Sequence, residues 1–96
     1  MTAIATEIPT NEASRYLQQL CKHWSHKFEV TFTPNEGRVP FPTGAVCTMA
    51  ATPETLNLRV EAADSAEATR MADVVINHLQ RFAFRAPLVV PDWRAA

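Results

Sequence analysis

Apolar and polar residues alternate strictly over residues 28 to 33 and again over residues 56 to 62. A period of two is typical of a strand that buries one face and exposes the other. A turn over residues 34 to 37, which contains proline, asparagine and glycine, follows the first of these strands. The side chains predicted to point into the core are Phe28, Val30, Phe32, Leu56, Leu58, Val60 and Ala62.

Three further strands are predicted from weaker patterns, at residues 3 to 8, 38 to 41 and 45 to 51. The second of them contains Pro40 and is followed by Pro42. Since proline cannot donate a hydrogen bond to a neighbouring strand, this strand is expected to be short and to lie at an edge of the sheet.

A period near 3.6 residues predicts two helices. The first is expected to begin with Thr10 or Asn11 as its N-cap, and the second with Asp64, whose partner Glu67 completes a capping-box pattern. The predicted buried stripes are Ala13, Tyr16, Leu17, Leu20, Cys21 and Trp24 in the first helix, and Ala68, Met71, Ala72, Val75, Ile76, Leu79 and Phe82 in the second.

The elements together predict an α+β fold in the order β-α-β-β-β-β-α, with an antiparallel sheet and both helices on one face. The 96 residues form a single domain, 1 to 96. A proline-interrupted tail follows the second helix, and its apolar residues Leu88, Val90 and Trp93 are expected to pack onto the domain.

The composition of the chain argues against several classes of function. Nine basic against ten acidic residues give a net charge of -1, which argues against nucleic-acid binding by bulk charge. No apolar stretch is long enough to cross a membrane and no secretory leader is evident, so a cytoplasmic location with free cysteine thiols is expected. With only two glycines and no hydrolase or nucleotide-binding signature, the chain is expected not to be an enzyme.

All three histidines lie near the C-terminal ends of the predicted helices, within residues 21 to 28 and 78 to 85. His23 and His78 occupy flanks of the same hand on their apolar stripes. Antiparallel helices turn such flanks either toward each other or both outward. If they face each other, a groove forms whose predicted ligand-binding residues are His23, His26, His78, Arg81 and Arg85, suited to an anionic small molecule.

The same cluster allows a metal site as an alternative. Cys21, His23 and His26 carry ligand atoms suited to zinc or ferrous iron, with His78 or Cys47 as a fourth ligand. Their spacing is not that of a standard metal motif, and Cys21 also falls on the buried stripe. The expectation is therefore no cofactor, with histidines that simply end a helix as the commoner interpretation.

Several segments together resemble one small bacterial family. They are Ala13-Ser14-Arg15-Tyr16-Leu17, Leu20-Cys21-Lys22-His23-Trp24, His26-Lys27-Phe28, and residues 78 to 85 with the pattern His-Leu-x-Arg-Phe-Ala-Phe-Arg. The chain is similar here to the domain of unknown function 2218 family. The resemblance implies a compact bacterial α+β domain without an established activity, at times joined to siderophore-interacting flavoprotein reductases.

The leading functional hypothesis is a non-catalytic binding or accessory module. Its expected partner is an anionic small molecule or a siderophore-interacting reductase, and the iron context follows from the resemblance alone. A small metal- or thiol-dependent enzyme that uses the cysteine and histidine cluster is the first alternative. A module that forms a homodimer through its exposed sheet face or edge strand is the second.

Overall fold

The computed structural model describes residues 1 to 96 and contains two α-helices and one six-stranded antiparallel sheet. The elements in chain order are β1 (Thr2–Pro9), α1 (Ala13–Ser25), β2 (Thr31–Phe32), β3 (Glu36–Pro40), β4 (Val46–Ala51), β5 (Thr55–Ala62), α2 (Ser65–Phe82) and β6 (Arg94–Ala95). The strands lie side by side in the order β2-β3-β4-β5-β1-β6. The predicted α+β class and element order are confirmed, and β6 is an additional strand.

Only one face of the sheet is buried. Across the ladders, Thr6 pairs with Leu58, and Leu58 pairs with Met49, and all three side chains are buried. The residues on either side of them along each strand point to the opposite face, as the pleat of a strand requires. Helix α1 packs against β3 and β4, and helix α2 packs against β5 and β1. Both helices therefore cover the same face, and the other face of the sheet remains open.

The two helices begin differently. The Asp64 carboxylate accepts a hydrogen bond from the Glu67 backbone N–H at 2.8 Å, so the predicted N-cap of α2 is confirmed. The reciprocal bond of a capping box is not made, because the Glu67 carboxylate pairs with Arg70 instead. Helix α1 begins later than predicted, because the Thr10 backbone N–H extends the β1 ladder to the Glu54 carbonyl at 2.9 Å. The Thr10 hydroxyl accepts from the Glu12 N–H at 3.0 Å instead of capping the helix. Glu12 is the N-cap and makes no side-chain capping bond.

The strand predicted over residues 28 to 33 is wrong in length. Only Thr31–Phe32 pairs with β3, because the preceding backbone makes local bonds: the Phe28 N–H donates to the Trp24 carbonyl and the Val30 N–H to the Phe28 carbonyl, each at 2.9 Å. Phe28 and Val30 are still half-buried against the core. The Phe32 side chain, predicted to be buried, is 36% exposed at the rim of the sheet.

The prediction that the third strand lies at an edge is also wrong, since β3 lies between β2 and β4. The Phe41 N–H donates to the Ala45 carbonyl, on the β4 side. Backbone N–H groups alternate sides along a strand, so the nitrogen of Pro40 faces the β2 side. Strand β2 pairs only as far as Arg38 and does not reach Pro40. The missing N–H of Pro40 therefore costs the sheet no hydrogen bond.

The C-terminal tail is docked, as predicted. Leu88, Val90 and Trp93 pack half-buried against the core, and β6 pairs with β1. The Gln80 side chain holds the backbone of Leu88 at both polar groups: its Nε2 donates to the Leu88 carbonyl at 2.9 Å, and its Oε1 accepts from the Leu88 N–H at 3.1 Å. The buried Thr6 hydroxyl donates to the Pro91 carbonyl at 3.0 Å.

Replacing Gln80 with alanine should therefore loosen the tail. The substitution leaves a partly buried N–H and carbonyl of Leu88 without their partners, which is expected to cost about 1 to 3 kcal/mol. Urea denaturation of the variant measures this loss. Asn77→Ala, an exposed position one turn earlier on α2, is the matched control and should change stability by less than about 0.5 kcal/mol. Equal stability of both variants would show that the Gln80 bonds do not hold the tail.

Candidate binding site at the helix C-termini

His23 and His78 lie against each other in the structure. His23 is on the last turn of α1, and His78 lies one turn before the end of α2. Their ring centroids are 5.3 Å apart with the ring planes tilted by 47°. Of the two alternatives left open by the sequence, these flanks face each other. The C-terminal turn of α1 meets α2 through His78 and Phe82, and Lys27 and Phe28, which follow α1, lie beside the same contact.

The orientation of His78 is fixed by a backbone hydrogen bond. Its Nδ1 lies 2.7 Å from the Val74 carbonyl oxygen, one turn earlier on α2. A carbonyl can only accept, so Nδ1 carries a proton and donates it, and this bond fixes the direction in which Nε2 points. The ring is half-buried and also contacts the Trp24 indole, with 5.2 Å between centroids.

An aromatic wall stands beside the two histidines. Trp24 ends the buried stripe of α1, and its ring meets Phe41 edge-on at a centroid distance of 5.4 Å. Phe28 meets the same Phe41 ring edge-on at 5.5 Å. Phe41 follows β3 immediately, so the end of the sheet positions the ring that Trp24 and Phe28 share. Phe82 reaches His23 from α2 at 6.1 Å.

A cavity of about 300 Å³ lies here. It is lined by His23, His78, Trp24, Phe28 and Phe41, together with Pro42 and Thr43 from the loop after β3, Met71 and Val74 from α2, and Lys27. Two of its walls were not predicted from the sequence. The Phe41 to Thr43 loop carries no periodic pattern, and Met71 was assigned only to the core.

Positive charge concentrates around His23. Loss of hydration beside its neighbours lowers the pKa of His23, and the electrostatic effects of His78, Lys27, Arg81 and His26 lower it further. His23 is therefore predominantly neutral at pH 7. Helix C-termini favour cations on their own. A helix C-terminus alone explains the presence of these cations, but it does not explain the cavity and the aromatic wall beside them.

The other predicted site residues fall in different places. His26 is the C-cap of α1, exposed but close enough to affect His23. Arg81 is exposed, and its charge contributes to the lowered pKa of His23. Arg85 is placed elsewhere, because its guanidinium carbon lies 5.5 Å from the ring centroid of Phe84, which is itself 69% exposed. The structure thus brings His23, His78, His26 and Arg81 together and leaves Arg85 outside.

Cys21 does not share this site. It is fully buried, and its Sγ faces Gly37 on the covered side of the sheet. The chain contains no group of three histidine, cysteine, aspartate or glutamate side chains placed to hold a metal ion. Burial raises the pKa of the Cys21 thiol to about 11 and, together with Cys21, that of Cys47 to about 12. Both thiols are protonated at neutral pH and are poor nucleophiles and ligands.

The fold and this site define a small α+β domain with a histidine-lined cavity at one end of its helix layer, and no helix has the length and apolar character of a membrane span. Residues 5–94 match the family model described as an uncharacterised protein conserved in bacteria, domain of unknown function 2218, and the chain belongs to that family.

The fold is shared with solved structures. The NMR structure of PA4090 from Pseudomonas aeruginosa is similar with a TM-score of 0.81 and 35% sequence identity, over 98% of this chain and 96% of that chain. No curated protein gives a significant match. The comparisons therefore establish family and fold.

Proposed function

We propose that this chain is a non-catalytic binding module that holds an anionic, single-ring aromatic ligand in the helix-end cavity. The observation that carries the proposal is the contact of the His23 and His78 rings, 5.3 Å apart, beside a cavity walled by Trp24. Cavities with mostly apolar walls and a few placed polar groups are typical small-molecule sites.

The charge of the ligand follows from the cations that border the cavity. Lys27 lines it, and Arg81 lies near enough to act on His23. His78 contributes Nε2, whose direction is fixed by the bond from Nδ1 to the Val74 carbonyl. A carboxylate or phenolate placed among these groups would accept charge-assisted hydrogen bonds from Lys27 and Arg81.

The size and shape of the ligand follow from the walls. The volume of about 300 Å³ is at the lower end of ligand cavities, which suits one ring and not a large multi-ring compound. Trp24 and Phe41 offer faces and edges to an aromatic ring, and Lys27 offers a cation beside it.

An iron-related role is part of the proposal and is supported only by the family resemblance to domains joined to siderophore-interacting reductases. Catechol carboxylates combine one aromatic ring with acidic oxygens, so they match both the cavity and that context. A reductase that handles such compounds is the corresponding protein partner.

Titration with 2,3-dihydroxybenzoate tests the proposal. Isothermal calorimetry should show His23→Ala and Arg81→Gln each weakening binding at least about tenfold, the loss expected for one charge-assisted hydrogen bond. Arg85→Gln is the matched control, because Arg85 lies over Phe84 and should leave affinity within twofold. Cyclohexanecarboxylate should bind more weakly than benzoate. Equal losses in Arg81→Gln and Arg85→Gln, or no binding at all, would contradict the proposal.

Acidification should strengthen binding. In the free protein, loss of hydration and the electrostatic effects of the neighbouring histidines, Lys27 and Arg81 hold the pKa of His23 below its ordinary value of 6.5. A bound anion offsets those charges and raises this pKa, so a proton is taken up on binding and affinity rises as pH falls through the range below 6.5. His23→Ala should remove this dependence while leaving the melting temperature nearly unchanged, since His23 is exposed.

A further inference from the structure

The open face of the sheet carries a larger cavity, of about 690 Å³. One row of side chains crosses all six strands on this face, because each residue of the row is the direct ladder partner of the next. In strand order the row is Thr31, Arg38, Thr48, Arg59, Ala5 and Arg94. Every second position in the row is an arginine, and short side chains stand between them.

The spacing of the row lets two arginines reach one ligand. Adjacent strands lie about 4.8 Å apart, so the Cα atoms of Arg38 and Arg59 are about 10 Å apart across β4. Between them stands only the short Thr48 side chain, which makes no hydrogen bond to another residue. The same spacing applies to Arg59 and Arg94, with Ala5 between them. A guanidinium fork from each side can therefore bind an anion above the short residue.

The existing ion pairs on this face do not neutralise the row. Arg59 pairs with Glu61, and Arg94 pairs with Glu7 at 3.7 Å, but these side chains are substantially exposed. Exposed pairs contribute only about 0 to 1 kcal/mol, so a ligand with several negative charges can compete with them. Arg38 makes no ion pair, and its guanidinium is free to bind.

An adjacent row of side chains on the same face carries acidic residues, which favours an anion above the arginines. On one side, Glu36 and Glu7 belong to the next row, and they would repel negative charge. Asn57 stands between them in the same row. An anion is therefore favoured above the arginine row and disfavoured above this one.

We propose that the open sheet face is a second binding site, in which Arg38 and Arg59 hold a small polyanion with carboxylate or phosphate groups above Thr48. The cavity volume lies within the range of small-molecule sites. This site is separate from the helix-end cavity, because the two lie on opposite sides of the sheet and share no residue.

A second copy of the chain fits this face less well. A stable interface buries about 800 Å² on each partner around an apolar centre. The centre here offers only short side chains such as Ala5, Thr48 and Ala50, recessed between longer charged ones. Two copies meeting through this face would also bring arginine rows together, which costs energy unless anions lie between them.

Titration with citrate and with inorganic pyrophosphate tests the proposal and separates carboxylate from phosphate preference. Amide shifts in two-dimensional NMR should concentrate on β3, β4 and β5 at Arg38, Thr48 and Arg59. Arg38→Gln should weaken binding at least tenfold, and the double variant Arg38→Gln, Arg59→Gln should abolish it. Arg15→Gln is the matched control, since Arg15 is an exposed, ion-paired arginine on the helix side, and it should leave affinity within twofold.

Tighter citrate binding would identify a hydroxy-carboxylate site and tighter pyrophosphate binding a phosphate site, and either supports the proposal. No binding of either probe, or equal weakening by Arg38→Gln and Arg15→Gln, would overturn it. Shifts centred on His23 and His78 would also overturn it by placing the anion in the other cavity. A dimer by sedimentation that Arg38→Gln dissociates would show that a second copy occupies this face instead.

Discussion

Replacing Leu58 with alanine is expected to lower the free energy of unfolding by about 2 to 5 kcal/mol. Leu58 is on β5, at the centre of the sheet, and only 1% of it is exposed. Its ladder partners Thr6 and Met49 are also buried, so the surrounding strands cannot collapse into the space that the lost methyl groups leave. The loss therefore combines transfer free energy with the cost of a cavity.

Chemical denaturation followed by tryptophan fluorescence measures this effect. For a domain of about 100 residues, each kcal/mol corresponds to about 4 to 8 °C in melting temperature. Leu79→Ala tests the helix side of the same core, because Leu79 is fully buried on α2. Val89→Ala is the control, since Val89 is 80% exposed in the tail and should be near neutral. A neutral Leu58→Ala variant would mean that the faces of β5 are assigned incorrectly.

The elements that the sequence predicts well are those whose pattern is reinforced by tertiary packing. Apolar and polar residues alternate over the whole length of β5, which is paired with a strand on both sides. The Asp64 cap of α2 depends only on residues within one helical turn, so the local sequence is enough to predict it. The segment from residue 28 has an equally clean alternation, yet most of it is not in a strand. Its backbone N–H groups bond to nearby carbonyls instead of to a neighbouring strand. The alternation of apolar and polar side chains carries no information about this choice of hydrogen-bond partner.

The candidate site was predictable only in part, for a related reason. Helix geometry sets the angular positions of His23 and His78, so their same-handed placement could be foreseen. Whether the two flanks face each other depends on how the helices pack, which the sequence leaves open. Phe41 enters the aromatic wall from a loop, whose position depends on where β3 ends. The arginine row depends on the register of six strands, and a shift of one residue in any of them would break it.

Gly37 shows how strictly the sheet and α1 constrain each other, and it yields a second large effect. Sequence placed it in a turn, but it lies within β3, opposite Phe32 and under α1. A Cβ at this position would lie 2.7 Å from the Sγ of Cys21, closer than nonbonded atoms pack. The close approach of the helix to the strand therefore requires glycine, for reasons of space.

Replacing Gly37 with alanine is accordingly expected to destabilise the protein by about 1 to 3 kcal/mol through overpacking. At a site with room, the same change would stabilise by about 0.4 to 1 kcal/mol, because alanine restricts the unfolded chain. The sign of the measured change thus separates the two explanations. Cys21 cannot easily yield, since it is fully buried and its side chain has only a few allowed rotamers.

A double-mutant cycle with Cys21→Ala gives the sharper measurement. Removing the Sγ opens the space that the new Cβ needs, so the double variant should be at least as stable as Cys21→Ala alone. Gly44→Ala serves as the contrast, because a Cβ there meets no atom within 4 Å and the residue has a φ of 92°. Its cost is backbone strain, which Cys21→Ala should not relieve. If Gly37→Ala proves stabilising by itself, or if Cys21→Ala fails to rescue it, α1 does not pack on β3 as closely as the contact at Gly37 requires.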